Sequence, residues 1–302
     1  MDPIRSLDAL ALHVRNSGTK RTIAAALAED PNTIGAVARA AEEGFISAIM
    51  IGDKKKIISV AEREAVDPGK FEIIHSTDEA GALKMALDLV HKGRADILMK
   101  GLVGTDKFLK AVLNKEKGLL PPHSVMSYVC AIQIPRYRKL LFVTDTAVIP
   151  FPDLGQKIAM VKYAVAMARK FGIEKPRVAL VSATEKVSDP FPQTLYDAMI
   201  CRMAERGQIR DCIIDGPLDI FLACDPASLQ VKGINTPVGG EADILVFPSI
   251  EASNTFYKGL MLFAGGELAG LIQGTVKPVV VMSRSESPVS KYYCIALACL
   301  MA

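Results

Sequence analysis

The sequence predicts an α/β protein of two domains, and three observations lead to this prediction. Short apolar runs of strand length alternate with helical patterns along most of the chain, which is typical of βαβ units and a parallel sheet. The chain has 302 residues, too many for one typical domain and suited to two of about 150 residues each. Half of the residues are apolar, so each domain can bury a sizeable core.

The first half of the chain shows this alternation most clearly. Two apolar runs have the length of buried strands, at 46–51 and 96–99. Helical patterns occupy 33–43 and 77–92, so each strand is preceded by a helix. Ser76-Thr77-Asp78-Glu79 has the spacing of a capping box and predicts the start of the second helix.

The alternation of strands and helices is interrupted near residues 120–150. Two extended runs, 125–134 and 140–144, flank Pro135-Arg136-Tyr137-Arg138-Lys139, which indicates a hairpin-type connection. Pro150-Phe151-Pro152 then interrupts the chain, and we place a domain boundary at this point.

The second half returns to alternating strands and helices. Strands are predicted at 177–182, 212–215, 243–247 and 277–282, and helices at 154–171, 192–206, 253–264 and 289–302. The last strand and helix need a sheet to join, so we predict that the chain leaves one domain, builds a second and returns. The predicted domains are 1–145 with 278–302, and an inserted domain at 146–277.

Charge and composition argue against several classes of function. The net charge is only +3, and the densest basic run, Lys54-Lys55-Lys56, is typical of a solvated helix face, so nucleic-acid binding is not expected. No apolar run has membrane-spanning length and the N-terminus lacks a signal-peptide pattern. Six cysteines occur without a CxxC pair or a histidine at metal-ligand spacing. We therefore expect a soluble cytoplasmic protein with reduced thiols and no metal site.

The common catalytic motifs are also missing from the sequence. It contains no GxxxxGK[ST], GxGxxG, HExxH or GxSxG segment. These absences argue against P-loop, standard Rossmann, zincin and α/β-hydrolase functions.

The segment between the last predicted strand and helix has the features of an anion site. Ser287 is a good N-cap and Pro288 suits the first helical position. Arg284 therefore lies in a short turn beside unpaired amides and the positive end of a helix dipole, which together favour phosphate. The alternative is an ordinary surface arginine in a βα turn.

Other polar residues follow the ends of predicted strands, where ligands of open α/β sheets bind. These residues are Lys100, Gly101, Thr105, Asp145 and Thr146. Asn254, Tyr257 and Lys258 share one face of a predicted helix at i, i+3 and i+4. The alternatives are ordinary turn residues in the first group and a solvated helix face in the second.

The segments 96–101, 143–147, 206–209, 214–218, 242–248 and 283–284, in this order, resemble the phosphate acyltransferases. This family comprises phosphate acetyltransferase and phosphate butyryltransferase. The butyryl branch is the more similar one, on the basis of residues 214–218, Asn254-x-x-Tyr257-Lys258 and Ser283-Arg284-x-acidic-Ser287-Pro288.

The resemblance implies a fold and a reaction. The fold is a two-domain, three-layer α/β/α architecture like that of isocitrate and isopropylmalate dehydrogenases, with the active cleft between the domains. A homodimer or higher homo-oligomer, formed mainly through the inserted domain, is implied as well. The reaction is reversible transfer of a short acyl group, here butanoyl, between CoA and inorganic phosphate in a ternary complex. CoA is a substrate, and no tightly bound cofactor is implied.

The resemblance also implies roles for individual residues. Arg284 would clamp the phosphate through two hydrogen bonds, and Ser283 would donate to the oxyanion that develops on the acyl carbonyl. Further candidates for contacts with phosphate or CoA are Lys100, Thr105, Asn254 and Lys258.

One position departs from the acetyl enzymes, which carry an aspartate six residues after the arginine to activate the CoA thiol. Ser290 stands there in this chain, and an ordinary hydroxyl cannot act as that base. Glu286, Asp145 and Asp153 are candidates for a substitute base, and in a further alternative Ser290 only orients the thiol.

Two other functions are alternatives to acyl transfer. A metal- and NAD-dependent decarboxylating dehydrogenase of similar fold would need clustered aspartates and an arginine-rich substrate site, and would reduce NAD in the presence of a divalent metal. A non-catalytic acyl-CoA-binding homologue is suggested by the departure at Ser290. Detectable CoA-dependent turnover would exclude this second alternative.

The predicted role of Arg284 is testable by substitution. We expect Arg284→Ala to reduce phosphate-dependent kcat/KM by about two orders of magnitude, because charge-assisted hydrogen bonds contribute roughly 1.5–3 kcal/mol each. Arg284→Lys keeps the charge but not the two-pronged geometry, so it should recover only part of this loss. Steady-state kinetics in both substrates and a thermal melt provide the measurement. A folded Arg284→Ala protein with wild-type kinetics would identify an ordinary surface turn.

Overall fold

The computed structural model describes residues 3–283 and 286–302, and Arg284 therefore lies outside the described residues. The chain divides into two compact units. The inserted unit comprises Ser127–Gly266 with Met1–Ser6, and the terminal unit comprises Leu7–Met126 with Glu267–Ala302. Both units combine a β-sheet with α-helices, in agreement with the predicted α/β class.

The elements are numbered in chain order. The strands are β1 (Arg21–Ala26), β2 (Ile46–Gly52), β3 (Glu72–His75), β4 (Ile97–Lys100), β5 (Ser127–Gln133), β6 (Leu141–Thr144), β7 (Arg177–Val181), β8 (Ile213–Leu218), β9 (Ile244–Val246), β10 (Glu267–Gln273) and β11 (Val279–Val280). The helices are α1 (Leu7–Asn16), α2 (Pro31–Glu42), α3 (Lys54–Arg63), α4 (Glu79–His91), α5 (Thr105–Val112), α6 (Leu154–Lys170), α7 (Gln193–Glu205), α8 (Ile220–Cys224), α9 (Pro226–Lys232), α10 (Ile250–Ala264) and α11 (Pro288–Met301), with a short 3₁₀ turn at Pro68–Lys70.

The strands of the terminal unit lie in the order β3-β2-β1-β4-β11-β10. β1 pairs in parallel with β2 and β4, and β4 pairs in parallel with β11. β10 instead runs antiparallel to β11 through the pair Ile272 and Val279. The sheet is therefore mixed, whereas the βαβ pattern predicted a parallel sheet, because β10 and β11 follow one another directly without a crossover helix.

Helix α11 closes the terminal unit. Ser287 is its N-cap and Pro288 its first residue, which confirms the prediction from sequence. The helix is buried along most of its length and packs against β10, α1 and α2. Its polar side chains have partners. The Tyr292 hydroxyl, for example, donates to Glu43 at 2.5 Å.

The strands of the inserted unit lie in the order β5-β6-β9-β7-β8. β5 and β6 form the predicted antiparallel hairpin, and β6, β9, β7 and β8 pair in parallel. An edge-to-face contact between Phe142 and Phe171, with ring centroids 5.1 Å apart, packs β6 against the segment that follows α6. The backbone amide of Ile4 donates to the carbonyl of Phe171 at 2.8 Å, which attaches Ile4 to the rest of this unit.

The compact units divide the chain earlier than the predicted domains, which ended at 145 and resumed at 278. The hairpin β5–β6 lies in the inserted unit because β6 pairs with β9, as in the contact of Phe142 with Ile244. β10 lies in the terminal unit because it pairs with β11. The sequence pattern placed the boundary at the proline-rich break, whereas strand pairing determines which unit each segment joins.

Several elements lacked a clear sequence signal and were not predicted, including β1, β3, β10 and α1. β1 reads Arg-Thr-Ile-Ala-Ala-Ala, and alanine is not typical of strands. Helix α4 begins at Glu79 with Asp78 as its cap, two residues later than predicted. The reason is that Asp78 accepts from Gly81 N, while Ser76 Oγ donates to the carbonyl of Asp78.

The basic run, the cysteines and the absence of a membrane-spanning pattern can each be compared with the structure. Lys54-Lys55-Lys56 is exposed at the start of α3, as expected of a solvated helix face. All six cysteines are free thiols, and Cys130, Cys294 and Cys299 are buried. No helix within the described residues has the length and apolar character needed to cross a membrane.

A fully buried ion pair joins α6 to α7 in the inserted unit. Lys157 Nζ contacts Asp197 Oδ1, and neither side chain is accessible to solvent. Lys157 Nζ also donates to Gln193 Oε1 at 3.3 Å. Burial lowers the pKa of Lys157 and raises the pKa of Asp197, while the attraction between the two charges opposes both shifts. Each charge therefore depends on its partner for compensation.

Removing one member of this pair should destabilise the fold more than removing both. We expect Lys157→Met to lower the free energy of unfolding by about 3–5 kcal/mol, because it leaves Asp197 as an uncompensated buried charge. Lys157→Met combined with Asp197→Leu should recover most of that loss. Urea denaturation of the three proteins measures both effects. A double variant no more stable than Lys157→Met would contradict the expectation.

Candidate functional site

The carboxyl ends of β4 and β11 lie side by side in the terminal unit. Val280 pairs with Met99, so Lys100 and the segment after β11 leave the sheet at the same edge. Lys100 is 5% exposed, and its Nζ donates to the carbonyls of Gly101 at 3.1 Å and Val103 at 3.2 Å. The structure therefore holds an ammonium group at the strand end next to the one that leads to Ser283.

Gly101 allows the chain after β4 to approach β1 closely. A Cβ atom at this position would lie 2.3 Å from the carbonyl oxygen of Leu27. The close approach lets Gly101 N donate to Ala26 O and Leu102 N to Leu27 O, both at 2.9 Å. Gly101 thus fixes the direction in which the segment after Lys100 leaves the sheet.

The N-terminus of α5 already holds a carboxylate from within the protein. Thr105 is the exposed first residue of α5, and Gly104 is the N-cap. The amide of Gly104 donates to Glu79 Oε1, and Lys107 pairs with the other oxygen of Glu79. Thr105 is predicted from sequence to face an anion, but the carboxylate at this helix end comes from Glu79, which lies 25 residues from Gly104 along the chain.

The turn between β11 and α11 is described at Ser283 and from Glu286 onward. The amide of Ser283 donates to Glu286 Oε2 at 3.1 Å, so the Glu286 side chain folds back over the turn. Both residues are partly exposed. Ser283 and Glu286 are thus hydrogen-bonded to each other in the segment that follows β11.

Ser290, in the first turn of α11, is bonded to a carboxylate that the sequence analysis did not identify. Its Oγ donates to Glu267 Oε2, and the hydroxyl of Ser287 donates to the same oxygen at 2.6 Å. The amide of Leu268 donates to Ser290 Oγ at 3.0 Å. Glu267 is the first residue of β10, a strand without a sequence signal, so its position next to α11 was not predictable.

Asp145 is buried at the end of β6 in the inserted unit. Its Oδ1 accepts from the amides of Ala147 at 2.9 Å and Val148 at 2.8 Å, and its Oδ2 accepts from Tyr128 N at 3.0 Å. Burial raises the pKa of Asp145, whereas these hydrogen bonds and one from Ser127 lower it. The carboxylate therefore ties the end of β6 to β5 and to the following loop.

Helix α10 attaches to the same strand end. Ser253 Oγ donates to the carbonyl of Asp145, and Asn254 Nδ2 donates to the carbonyl of Thr146 at 2.9 Å. Thr146 is itself buried. The structure thus brings three of the predicted residues together and adds Ser253, which the sequence analysis missed.

Tyr257 and Lys258 do not share one environment, although both follow Asn254 on α10. Tyr257 is 7% exposed, whereas Lys258 is exposed with its Nζ 6.0 Å from the centroid of the Tyr257 ring.

Asp153 caps α6 by accepting from Gln156 N at 2.8 Å, within a complete capping box. Its carboxylate therefore has a structural partner.

A largely apolar pocket of about 380 Å³ lies at the carboxyl ends of β7 and β9 in the inserted unit. Its lining residues come from the segments that follow these two strands and from the starts of α7 and α10: Val181, Ser182, Ala183, Pro190, Phe191, Pro192, Gln193, Phe247, Pro248 and Ala252. Ala252 is adjacent in sequence to Ser253, so the pocket neighbours the strand end occupied by Asp145.

Histidine, cysteine, aspartate and glutamate are the side chains that most often bind metal ions in proteins. Across residues 3–283 and 286–302, no three of them are grouped so as to hold a metal ion.

Comparison with known proteins identifies the family. The profile described as "Phosphate acetyl/butaryl transferase" matches residues 78–299. The chain is 38% identical over 299 residues to the phosphate butyryltransferase of Clostridium acetobutylicum, covering 99% of each chain. It is 36% identical over 297 residues to the phosphate acetyltransferase of Thermotoga maritima, covering 98% of this chain and 99% of the relative. A branched-chain phosphotransacylase structure from Enterococcus faecalis V583 matches with a TM-score of 0.80 at 30% identity, covering 92% of this chain and 97% of that one. These matches confirm the resemblance found in the sequence, and the chain belongs to the phosphate acetyl/butaryl transferase family.

Proposed function

We propose that this protein catalyses reversible transfer of a short acyl group, with butanoyl as the preferred one, between CoA and inorganic phosphate. The observation that carries the proposal is the 38% identity to a phosphate butyryltransferase across 99% of both chains. The placement of Ser283 and Lys100 at neighbouring strand ends supports it, because this arrangement offers a cation and a serine to an anionic substrate.

The chemistry requires the two substrates to be held together. An oxygen of phosphate attacks the acyl carbonyl carbon, the C–S bond breaks, and CoA leaves with the electron pair of that bond. Bringing both substrates together lets proximity replace a covalent intermediate, so the reaction proceeds through a ternary complex. Ser283 donates to the developing oxyanion, while Arg284 and Lys100 bind phosphate. The role of Arg284 stays a prediction from sequence.

We assign Asp145 and Asn254 to positioning and not to proton transfer. Both oxygens of Asp145 accept hydrogen bonds from within the protein, and its side chain is buried. Asn254 Nδ2 binds the carbonyl of Thr146 and fixes α10 to the same strand end. Asp153 is the cap of α6. Of the bases considered from sequence, Glu286 is the one that lies in the turn before α11.

The pocket at the ends of β7 and β9 is our candidate for the acyl site. Its mostly apolar lining suits an alkyl chain, and at about 380 Å³ it exceeds the volume that an acetyl group needs. A butanoyl group carries two more methylenes than acetyl, and each buried methylene contributes about 0.8 kcal/mol. This supports a preference for butanoyl-CoA over acetyl-CoA.

We also propose the fold type, the oligomeric state and the cellular location of the protein. The likeness of the fold to isocitrate and isopropylmalate dehydrogenases is part of the proposal and rests on the family resemblance. Five large apolar side chains of the inserted unit are strongly exposed, which supports a homodimer formed through this unit: Phe151, Phe221, Val231, Leu262 and Phe263. Static light scattering tests the dimer, and a monomer at micromolar concentration would refute it.

Six free cysteines support a cytoplasmic location, which cell fractionation tests.

The proposed reaction predicts that CoA release depends on phosphate. The purified protein should release CoA from butanoyl-CoA when phosphate or arsenate is present and not in their absence, because phosphate is the acyl acceptor. A thiol-detecting reagent follows the release. Equal release without phosphate would indicate a thioesterase and would refute the proposal.

Two controls address the alternative functions. The same protein should not reduce NAD with a divalent metal ion, as a decarboxylating dehydrogenase would. Any phosphate-dependent turnover excludes a non-catalytic acyl-CoA-binding protein.

The acyl pocket predicts a change of chain-length preference when it is filled. We expect Ala252→Phe to lower kcat/KM for butanoyl-CoA relative to acetyl-CoA by about tenfold or more, because the new ring takes the space of the longer chain. Glu251→Phe is the matched control, since it adds the same ring to an exposed neighbouring position outside the pocket lining. Kinetics across an acetyl-to-hexanoyl panel gives the ratio. The same ratio in wild type and Ala252→Phe would place the acyl chain elsewhere.

A further inference from the structure

The carboxylate of Glu267 is held at the first turn of α11 by two serine hydroxyls. Ser287 donates to Glu267 Oε2 at 2.6 Å, and Ser290 donates to the same oxygen. Ser287 and Ser290 are themselves connected, because the amide of Ser290 donates to Ser287 Oγ at 3.0 Å. The N-cap of α11 thus fixes both hydroxyls, and these in turn fix the carboxylate.

This carboxylate lies one hydrogen bond away from the position where the acetyl enzymes carry an aspartate. Ser290 stands at that position and its hydroxyl cannot act as a base by itself. An aspartate side chain extends one bond further than serine, toward the place where Glu267 Oε2 meets Ser290 Oγ. The Glu267 carboxylate on β10 therefore lies close to the place where the acetyl enzymes carry an aspartate carboxylate on α11.

Glu267 differs from Glu286 and Asp145 in being the carboxylate that accepts from Ser290. Glu286 Oε2 accepts from the amide of Ser283, and both oxygens of Asp145 are engaged in a buried site. Both serine hydroxyls donate to Oε2 of Glu267, and within the described residues no hydrogen bond reaches Oε1. The Glu267 side chain is partly exposed. One oxygen is thus held in place while the other is available to a ligand.

We propose that Glu267 is the catalytic base that takes the proton of the CoA thiol, a role that rests on the function proposed above. In the direction from acyl phosphate, Glu267 takes the proton from sulfur and the thiolate attacks the acyl carbonyl carbon. The C–O bond to phosphate breaks, and its electron pair stays on the phosphate oxygen. That oxygen takes the proton from Glu267, which restores the carboxylate. The opposite direction follows the same steps in reverse.

The charged groups around Glu267 are identifiable. Tyr293 is on α11, and its hydroxyl donates to Asp8 of α1 at 2.6 Å. Burial raises the pKa of Tyr293, and the hydrogen bond to Asp8 and the charge of Glu267 raise it further, so Tyr293 is neutral near pH 7. Lys291 is directed toward Asp30, with its Nζ 3.3 Å from Oδ1. Glu286 is the other carboxylate of the turn that precedes α11.

Replacing the carboxylate by an amide tests the proposal. We expect Glu267→Gln to lower kcat with butanoyl phosphate and CoA by about 100-fold or more, since general-base catalysis contributes roughly 10²–10⁴-fold. The acidic limb of the pH–rate profile, where the wild-type base becomes protonated, should disappear. Adding Ser290→Asp to Glu267→Gln should restore at least about tenfold of the lost rate, because it returns a carboxylate to α11.

The control is Glu43→Gln, which changes another glutamate that accepts from a hydroxyl of α11. Glu43 Oε2 accepts from Tyr292 at 2.5 Å, away from the N-cap turn. This variant should keep wild-type kcat and the acidic limb, whereas a purely structural role of Glu267 would make the two variants alike. Thermal melts of both variants compare their stability.

Three outcomes would refute either the proposed function or the role of Glu267. No phosphate-dependent turnover of the wild type would refute the proposed function itself. An active wild type together with a folded Glu267→Gln protein of similar kcat would overturn the role of Glu267 alone. Ser290→Asp by itself gives a test that does not require Glu267→Gln to fold. Two adjacent carboxylates should share a proton and move the acidic limb up by about one pH unit, and an unmoved limb would overturn the role.

Discussion

The pairing of β11 with β4 is the constraint on which the terminal unit depends. Parallel neighbours end at the same edge of a sheet, so the register of Val280 with Met99 places Lys100 beside the segment that leads to Ser283. The paired residues Met99 and Val280 are more than 180 positions apart in the sequence, and only the return of the chain brings them together. Gly101 supports the arrangement, because its missing Cβ lets the chain after β4 pass close to β1.

Helix α11 converts this placement into a defined chemical environment. Its N-cap, Ser287, satisfies the amide of Ser290 and also binds Glu267, so one residue serves both the helix and the carboxylate. Most of the helix is buried, and its polar groups are matched by carboxylates such as Glu43 and Asp8. A buried helix with satisfied polar groups cannot shift easily, so the first turn keeps its position relative to β10.

The inserted unit uses buried charge to hold its own strand ends. Asp145 is surrounded by donors from β5 and the loop after β6, and Lys157 and Asp197 compensate each other between α6 and α7. Losing one partner of either arrangement leaves a charge or donors unsatisfied in a low-dielectric interior. The pocket at the ends of β7 and β9 is therefore framed by segments that these contacts fix in place.

The sequence by itself determined the α/β class, most helices, the β5–β6 hairpin, the cap of α11 and the family, because these depend on local pattern and ordered motifs. It did not determine β1 or β10, whose strands lack β-branched density, or the mixed sheet, because pairing direction depends on contacts between distant segments. It named Ser290 as a departure but not Glu267, and it named Thr105 without the Glu79 carboxylate already at α5. Partners 20 or more residues apart meet only when strand order is fixed, so the tertiary structure alone decided which carboxylate lies beside α11.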